Sequence, residues 1–166
     1  LDRKTQIEYI NNIIEKFDLL YLEDPLEEND FSGFIKIKKK NLVVGDDLTV
    51  TNLVRLKKAI KQKSINSIIV KPNQNGSLLQ VKEVIDFCKK NKIKTIISHR
   101  SGETMDNALA DYAVSFGVYY IKCGISTKWR EVKLQRLVEI EQKIKDTFLN
   151  KIISISCRVA PFNNVY

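Results

Sequence analysis

The chain has 166 residues, 43% of them hydrophobic and 29% charged, which supplies one domain with a buried core and excludes a disordered polymer. No apolar run reaches the ~20 residues of a membrane span, and Leu1 to Phe17 alternates charged and apolar residues unlike a signal peptide, so the expected compartment is the cytoplasm. The net charge of +8 comes mostly from lysines dispersed over helical segments; its one short cluster, Lys36, Lys38, Lys39 and Lys40, has no interleaved aromatics, which argues against nucleic acid as a partner.

The first segment places Ile7, Ile10, Ile14 and Phe17 at helical spacing behind Asp2, a candidate N-cap, and is expected to be an amphipathic helix. Leu19 to Leu22 then reads as a short buried strand that stops at Glu23-Asp24-Pro25. A second strand, Leu42 to Val44, ends at Gly45-Asp46-Asp47, and Thr51 or Asn52 caps a helix carrying Leu53, Leu56 and Ile60. A third, Ile68 to Val70, ends at Lys71-Pro72 before a helix with Val81, Ile85 and Cys88 on one side. The fourth, Thr95 to Ile97, ends at Ser98-His99-Arg100 before a helix from about residue 106 to 116. The fifth, Tyr119 to Ile121, ends at Lys122 before a long helix holding Leu134, Leu137, Ile140, Ile144 and Phe148. The three cysteines, Cys88, Cys123 and Cys157, are odd in number and accompanied by a single histidine. They suit neither a disulfide framework nor a zinc site and are expected to be reduced, packed thiols.

Glu23, Asp46, Lys71, His99 and Lys122 follow one another at intervals of 23, 25, 28 and 23 residues. Five strand–helix units at this spacing predict a parallel sheet whose strands are covered on both faces. An open doubly wound sheet and a closed βα barrel both fit the periodicity. The ionisable residue at all five strand ends favours the barrel, where catalytic groups from several strands converge on one axis. The expected fold class is therefore α/β, a partial (β/α)8 TIM-type barrel of about five parallel strands each followed by a helix. A full barrel has eight strands, so roughly three are expected ahead of Leu1. The expected division is a barrel domain at 1–150, incomplete on its N-terminal side, and a tail at 151–166 with no assigned role.

Glu23 and Asp46 offer hard oxygen ligands of the kind magnesium prefers. Two strand-terminal acids are equally at home paired with lysines. Lys71 and Lys122 end apolar strands, where a lysine requires a partner and where burial beside other cations favours the neutral amine that a base needs. Ser98 to Glu103 gathers a hydroxyl, a histidine, a guanidinium and a glycine in one turn, which suits a phosphate held in bidentate fashion by Arg100, with Ser101 donating beside it. A metal, a base and a phosphate clamp together describe a site for a phosphorylated carboxylic acid.

Leu22-Glu23-Asp24-Pro25, Gly45-Asp46-Asp47-Leu48-Thr49-Val50-Thr51-Asn52, Lys71-Pro72-Asn73-Gln74-Asn75-Gly76, Ser98-His99-Arg100-Ser101-Gly102-Glu103-Thr104 and Ile121-Lys122-Cys123-Gly124 closely resemble the signature blocks of enolases, in the family's order. The resemblance covers about residues 1–148. It implies reversible dehydration of 2-phosphoglycerate to phosphoenolpyruvate in glycolysis and gluconeogenesis, with Mg2+ stabilising an enediolate. Residue by residue it implies Glu23 and Asp46 as two of three magnesium carboxylates and Lys71 as the proton acceptor. His99, Arg100, Ser101 and Lys122 fall at substrate-binding positions, Asp47 is a candidate for orienting Asp46 or pairing with Lys71, and Glu103 for fixing the turn. Cys123 stands where the family usually has threonine, and the short loop from Ile125 to Arg130 is closer to archaeal-type enolases. The family places its third metal carboxylate and its acid ahead of the region matched here, so the implied identity is a piece of a longer, homo-oligomeric enolase. A catalytically inactive truncated binding protein, or another acid dehydratase of the same superfamily, are the alternatives.

Overall fold

The computed structural model describes residues 1–124 and 127–159, with side chains as far as residue 148. The elements follow as α1 (Arg3–Phe17), β1 (Tyr21–Glu23), α2 (Phe31–Phe34), β2 (Leu42–Gly45), α3 (Leu53–Lys61), β3 (Ser67–Val70), α4 (Pro72–Asn75), α5 (Leu78–Lys90), β4 (Lys94–Ser98), α6 (Ala108–Ser115), β5 (Tyr120–Lys122) and α7 (Lys128–Val159). The reading of Cys157 and of the apolar side chains in the tail falls outside the described residues.

Helices begin where the chain provides an acceptor for their first free N–H groups. The Asp2 carboxylate accepts from the Lys4 and Thr5 amides, and Asn52 from those of Val54 and Arg55. Asn52, not Thr51, is thus the cap of α3, and caps of this kind contribute about 1 kcal/mol each. One turn, α2, escapes any periodicity argument because four residues are too few to show a period. Asp30 caps it by accepting from Gly33 N, and Phe31 and Phe34 are buried beneath. A Cβ at position 33 would crowd Asp30 Cγ and Leu26 Cδ1, each at 2.7 Å, so a larger residue there would push on the capping carboxylate.

All five strands are parallel and lie in the order β1-β2-β3-β4-β5. A doubly wound sheet reverses its strand order at a switch point, whereas a βα barrel adds each strand beside the last. The unbroken order, with Val43, Ile68 and Val70 packed into one cluster with Leu56, Val81, Val84 and Ile85 from the helices, puts the helices on a single face. The other face carries a separate cluster of Val44, Ile69 and Ile96 with Tyr21 and Leu42. Side chains alternate between helix layer and barrel interior, so both sets must be apolar and each strand reads as an uninterrupted hydrophobic run. The sheet curls enough for Lys122 on β5 to reach Glu23 on β1, across 99 residues of sequence. This is the half-barrel that the strand ends predict.

Four sequence expectations shift. Tyr119, expected to open the fifth strand, is 80% exposed and β5 begins at Tyr120. Phe17 is 61% exposed, with Lys16 over its ring, because α1 buries Ile7 and Ile14 and its stripe runs off the core by the last turn. β1 begins at Tyr21 rather than Leu19, leaving Leu20 exposed, since pairing with β2 starts only at Leu42. On α7 the stripe likewise outlasts its support, and Ile144 and Phe148 are exposed. No helix among the described residues is long and apolar enough to cross a membrane.

Candidate active site

Parallel pairing keeps the strand ends level, and four of the five carry a charged side chain at or just past the last residue. Lys71 Nζ donates to Asp46 Oδ2 at 2.6 Å. Lys122 Nζ donates to both Glu23 oxygens at 2.8 and 2.7 Å, and Tyr21 Oη donates to Glu23 Oε2 at 2.7 Å. Glu23, Asp46, Lys71 and Lys122 are therefore gathered at the C-terminal rim of the sheet as two ion pairs. Burial pulls the Glu23 carboxyl up, but the bonds from Lys122 and Tyr21 outweigh it and hold the group below the usual glutamate range. For Asp46, burial dominates and raises the carboxyl, with the Lys71 bond acting against it.

Asp46 is only 7% exposed, and its second oxygen, Oδ1, is buried without a hydrogen-bond partner. A buried carboxylate oxygen with no protein partner has a lone pair to offer a cation, and a hard oxygen donor beside a second carboxylate fits magnesium. Among the described residues the tightest acidic group is Asp24, Asp46 and Asp47, with ligand atoms within 4.8 Å of one another. Asp24 is poorly suited to be a ligand, because its Oδ1 accepts from Asp46 N at 2.9 Å and its Oδ2 from Asp47 N at 2.7 Å. It shapes the loop that presents Asp46 instead. Asp47 is exposed and Lys71 pairs with Asp46, so of the two roles open to Asp47 the pairing with Lys71 is not realised.

The loop after β2 is held under strain. Val50 and Thr51 have positive φ, of 44° and 52°, a region that β-branched residues enter only when their surroundings dictate it, and Asp24, just past β1, has a φ of 38°. Thr51 is 1% exposed; its hydroxyl accepts from Lys71 N at 2.9 Å and donates to Gln74 Oε1 at 3.1 Å. The strained turn thus fixes the backbone of Lys71 where β3 passes into α4.

His99 follows β4, and its Nδ1 lies 2.7 Å from the Lys122 carbonyl oxygen, which can only accept, so Nδ1 carries the proton. Arg100 and Ser101 are exposed on the next turn, where Arg100 N donates to Glu103 Oε1 at 3.4 Å. Their side chains are not drawn into the Glu23–Asp46–Lys71–Lys122 group. A cavity of about 320 Å³ opens beside His99, lined also by Asn73, Thr104, Tyr112 and Lys133. A second, of about 350 Å³, lies on the barrel-interior face against Tyr21, Leu42, Ile96 and Lys122.

Sequence reasoning overlooked Tyr21, Asp24 and Lys133 and assigned Thr51 to capping. Tyr21 was findable, since residues two apart on a strand share a face and it precedes Glu23 by two. Lys133 also carried a signal, as it stands on the apolar stripe of Leu137, Ile140 and Ile144. Asp24 and Thr51 act through backbone amides brought from other strands, and nothing local announces them.

Residues 1–153 match the family model described as "Enolase, C-terminal TIM barrel domain". The chain is 48% identical over 139 residues to an enolase of Sulfurisphaera tokodaii, covering 81% of this chain and 33% of that protein. It is 45% identical to an enolase of Sulfolobus acidocaldarius over 81% of this chain and 33% of the relative, and 45% identical to one of Ureaplasma parvum over 86% and 33%. The chain spans about a third of the length of these relatives. With five parallel strands in unbroken order, a rim of paired acids and lysines, and this extent of identity, the chain belongs to the enolase family, within its C-terminal TIM barrel domain.

Proposed function

We propose that the chain contributes to the catalytic face of an enolase that interconverts 2-phosphoglycerate and phosphoenolpyruvate. The observation that carries this reading is the convergence of Glu23, Asp46, Lys71 and Lys122, from four strands, into two hydrogen-bonded pairs at one rim. Asp46, through its unpartnered Oδ1, and Glu23, whose partners are the movable side chains of Lys122 and Tyr21 rather than the fixed backbone amides that hold Asp24, would hold magnesium. When bound, the ion supplies positive charge against the substrate carboxylate as that group gains negative charge. Lys71, having left Asp46 and given up its extra proton, takes the C2 proton as the neutral amine; the C–H electron pair then forms the C2–C3 double bond as the C3 hydroxyl departs. An acid that protonates the departing hydroxyl, so that it leaves as water, is supplied in the family by residues other than those matched here. Lys122 contacts the substrate from across the barrel, and Thr51 keeps Lys71 in register. Arg100 and Ser101 hold the phosphate, and His99, oriented by the Lys122 carbonyl, lines the pocket. With this reading go a barrel domain at 1–150, a tail at 151–166, a cytoplasmic location and a self-associating parent protein.

A second reading, a pocket kept for binding without turnover, is consistent with Lys71 being held by Asp46 rather than free to act as a base. Calorimetric titration of magnesium and phosphoenolpyruvate, run beside an absorbance assay of 2-phosphoglycerate dehydration, separates the two. Turnover that Lys71→Ala abolishes supports the lyase, and magnesium-dependent binding without turnover supports the binder. Absence of both overturns the reading for this chain.

A further inference from the structure

The described residues contain one lysine that is fully buried and that the proposed chemistry does not use. Lys133, in the second turn of α7, is 2% exposed. Its ammonium donates to three carbonyl oxygens, Trp129 at 2.6 Å, Thr104 at 3.1 Å and Asp106 at 2.8 Å. It also lies 2.5 Å from Glu103 Oε2, whose side chain is 14% exposed. Trp129 is in its own helix, but the other three partners all belong to the loop between β4 and α6. That loop begins with His99, Arg100 and Ser101, and the same Glu103 accepts from Arg100 N through its other oxygen. Further on, Thr104 Oγ1 accepts from Asp106 N and Asp106 Oδ1 from Ala108 N, where α6 starts.

A buried ammonium is an expensive way to pack a helix against a loop, since apolar residues of similar volume do so at least as well. What it supplies in addition is direction: several acceptors must point at one small cation, and this fixes the path of the backbone that carries them. The geometry of this cluster also has a gradient. The carbonyl bonds secure residues 104 and 106, and the Glu103 bridge passes the constraint to the amide of Arg100.

We propose that Lys133 is the positioning residue of the anion-binding turn: from α7 it sets the course of the β4–α6 loop and, through Glu103, the backbone from which Arg100 and Ser101 meet a phosphate group. The identity of the anion rests on the enolase reading; the control of the loop by Lys133 does not.

The test uses Lys133→Met, which keeps volume and removes the charge, and Glu103→Gln, which leaves the carbonyl bonds intact and weakens only the bridge. Amide exchange at Arg100, Asp106 and Ala108 is compared with exchange in the sheet, and calorimetry measures magnesium alone, inorganic phosphate, and phosphoenolpyruvate with saturating magnesium. In Lys133→Met, exchange at those three amides is expected to rise about tenfold against an unchanged sheet, and affinity for both phosphate ligands to fall about tenfold, with magnesium affinity within about twofold. Glu103→Gln is expected to speed exchange at Arg100 with little change at Asp106, and it decides the matter should Lys133→Met not fold. Loosening spread evenly over the chain, or an unchanged loop, overturns the proposal. Failure of the unsubstituted chain to bind phosphoenolpyruvate overturns the enolase reading instead, and the exchange comparison still judges Lys133.

Discussion

Replacing Thr51 with valine exchanges a hydroxyl for a methyl and leaves shape and β-branching unchanged, so the strain of its positive φ is the same before and after. The side chain is 1% exposed, and its hydroxyl is the partner of the Lys71 amide. Valine leaves that N–H unpaired, which costs about 1–3 kcal/mol. Gln74, which also loses a bond, is half-buried and turns to water instead. The added methyl returns at most about 0.8 kcal/mol. Taking the middle of that cost, about 2 kcal/mol, the net loss is about 1 kcal/mol, or a fall in Tm of about 2–4 °C for a chain of this size. Urea denaturation gives the free energy directly, and amide exchange at Lys71 locates it. Thr51→Ser is the control: it keeps the hydroxyl and eases the β-branched strain, and should lie closer to the parent chain than valine does. A Thr51→Val chain within about 0.5 kcal/mol of the parent, with Lys71 exchange unchanged, would refute the assignment of Thr51 as the clamp on Lys71.

Asp30 accepts two bonds from the Arg3 guanidinium, at 2.6 and 2.5 Å, and these hold its carboxyl below the usual aspartate range. Its contribution to stability is therefore full above the unfolded value of about 3.9 and is lost as pH falls through the depressed folded value. Asp30→Asn retains the Gly33 cap but should flatten the acid limb of a Tm-against-pH curve; an unaltered limb would disprove the linkage. For the pair that spans the half-barrel, a double-mutant cycle of Glu23→Gln and Lys122→Met should yield a coupling of about 1 kcal/mol, and no coupling would mean the contact does not hold β1 to β5. Cys88 is buried and its thiol is pushed up to about 12 by burial. Site-resolved mass spectrometry should find it unlabelled by a thiol reagent at pH 8 until the chain unfolds, and prompt labelling in the folded state would contradict its burial.

Fold and site were legible to different depths. Each strand announces itself as an apolar run because both its faces are covered: Val43, Ile68 and Val70 by helices, and Val44, Ile69 and Ile96 by one another. The five ionisable residues at the strand ends were visible because a charge closing such a run stands out. Short turns were not. Asp30 to Phe34 forms a helix only because Arg3, 27 residues away, and the core beneath fix it in place. Phe17 and Phe148 show the converse error, a helical period that continues after the surface it packs on has ended.

By itself, then, the sequence determined the order of strands and helices, the ionisable residue at the end of each strand, and through five motif blocks the family. Those properties are local, carried by side-chain period and residue type. Only the tertiary structure decided the pairings: Lys71 with Asp46, Lys122 with Glu23, Asp24 with the amides of the neighbouring strand end, and Lys133 with the loop of Glu103. Each joins residues more than 20 positions apart, and a strand's local sequence specifies which face a side chain takes but not which distant partner the curl of the sheet brings to it.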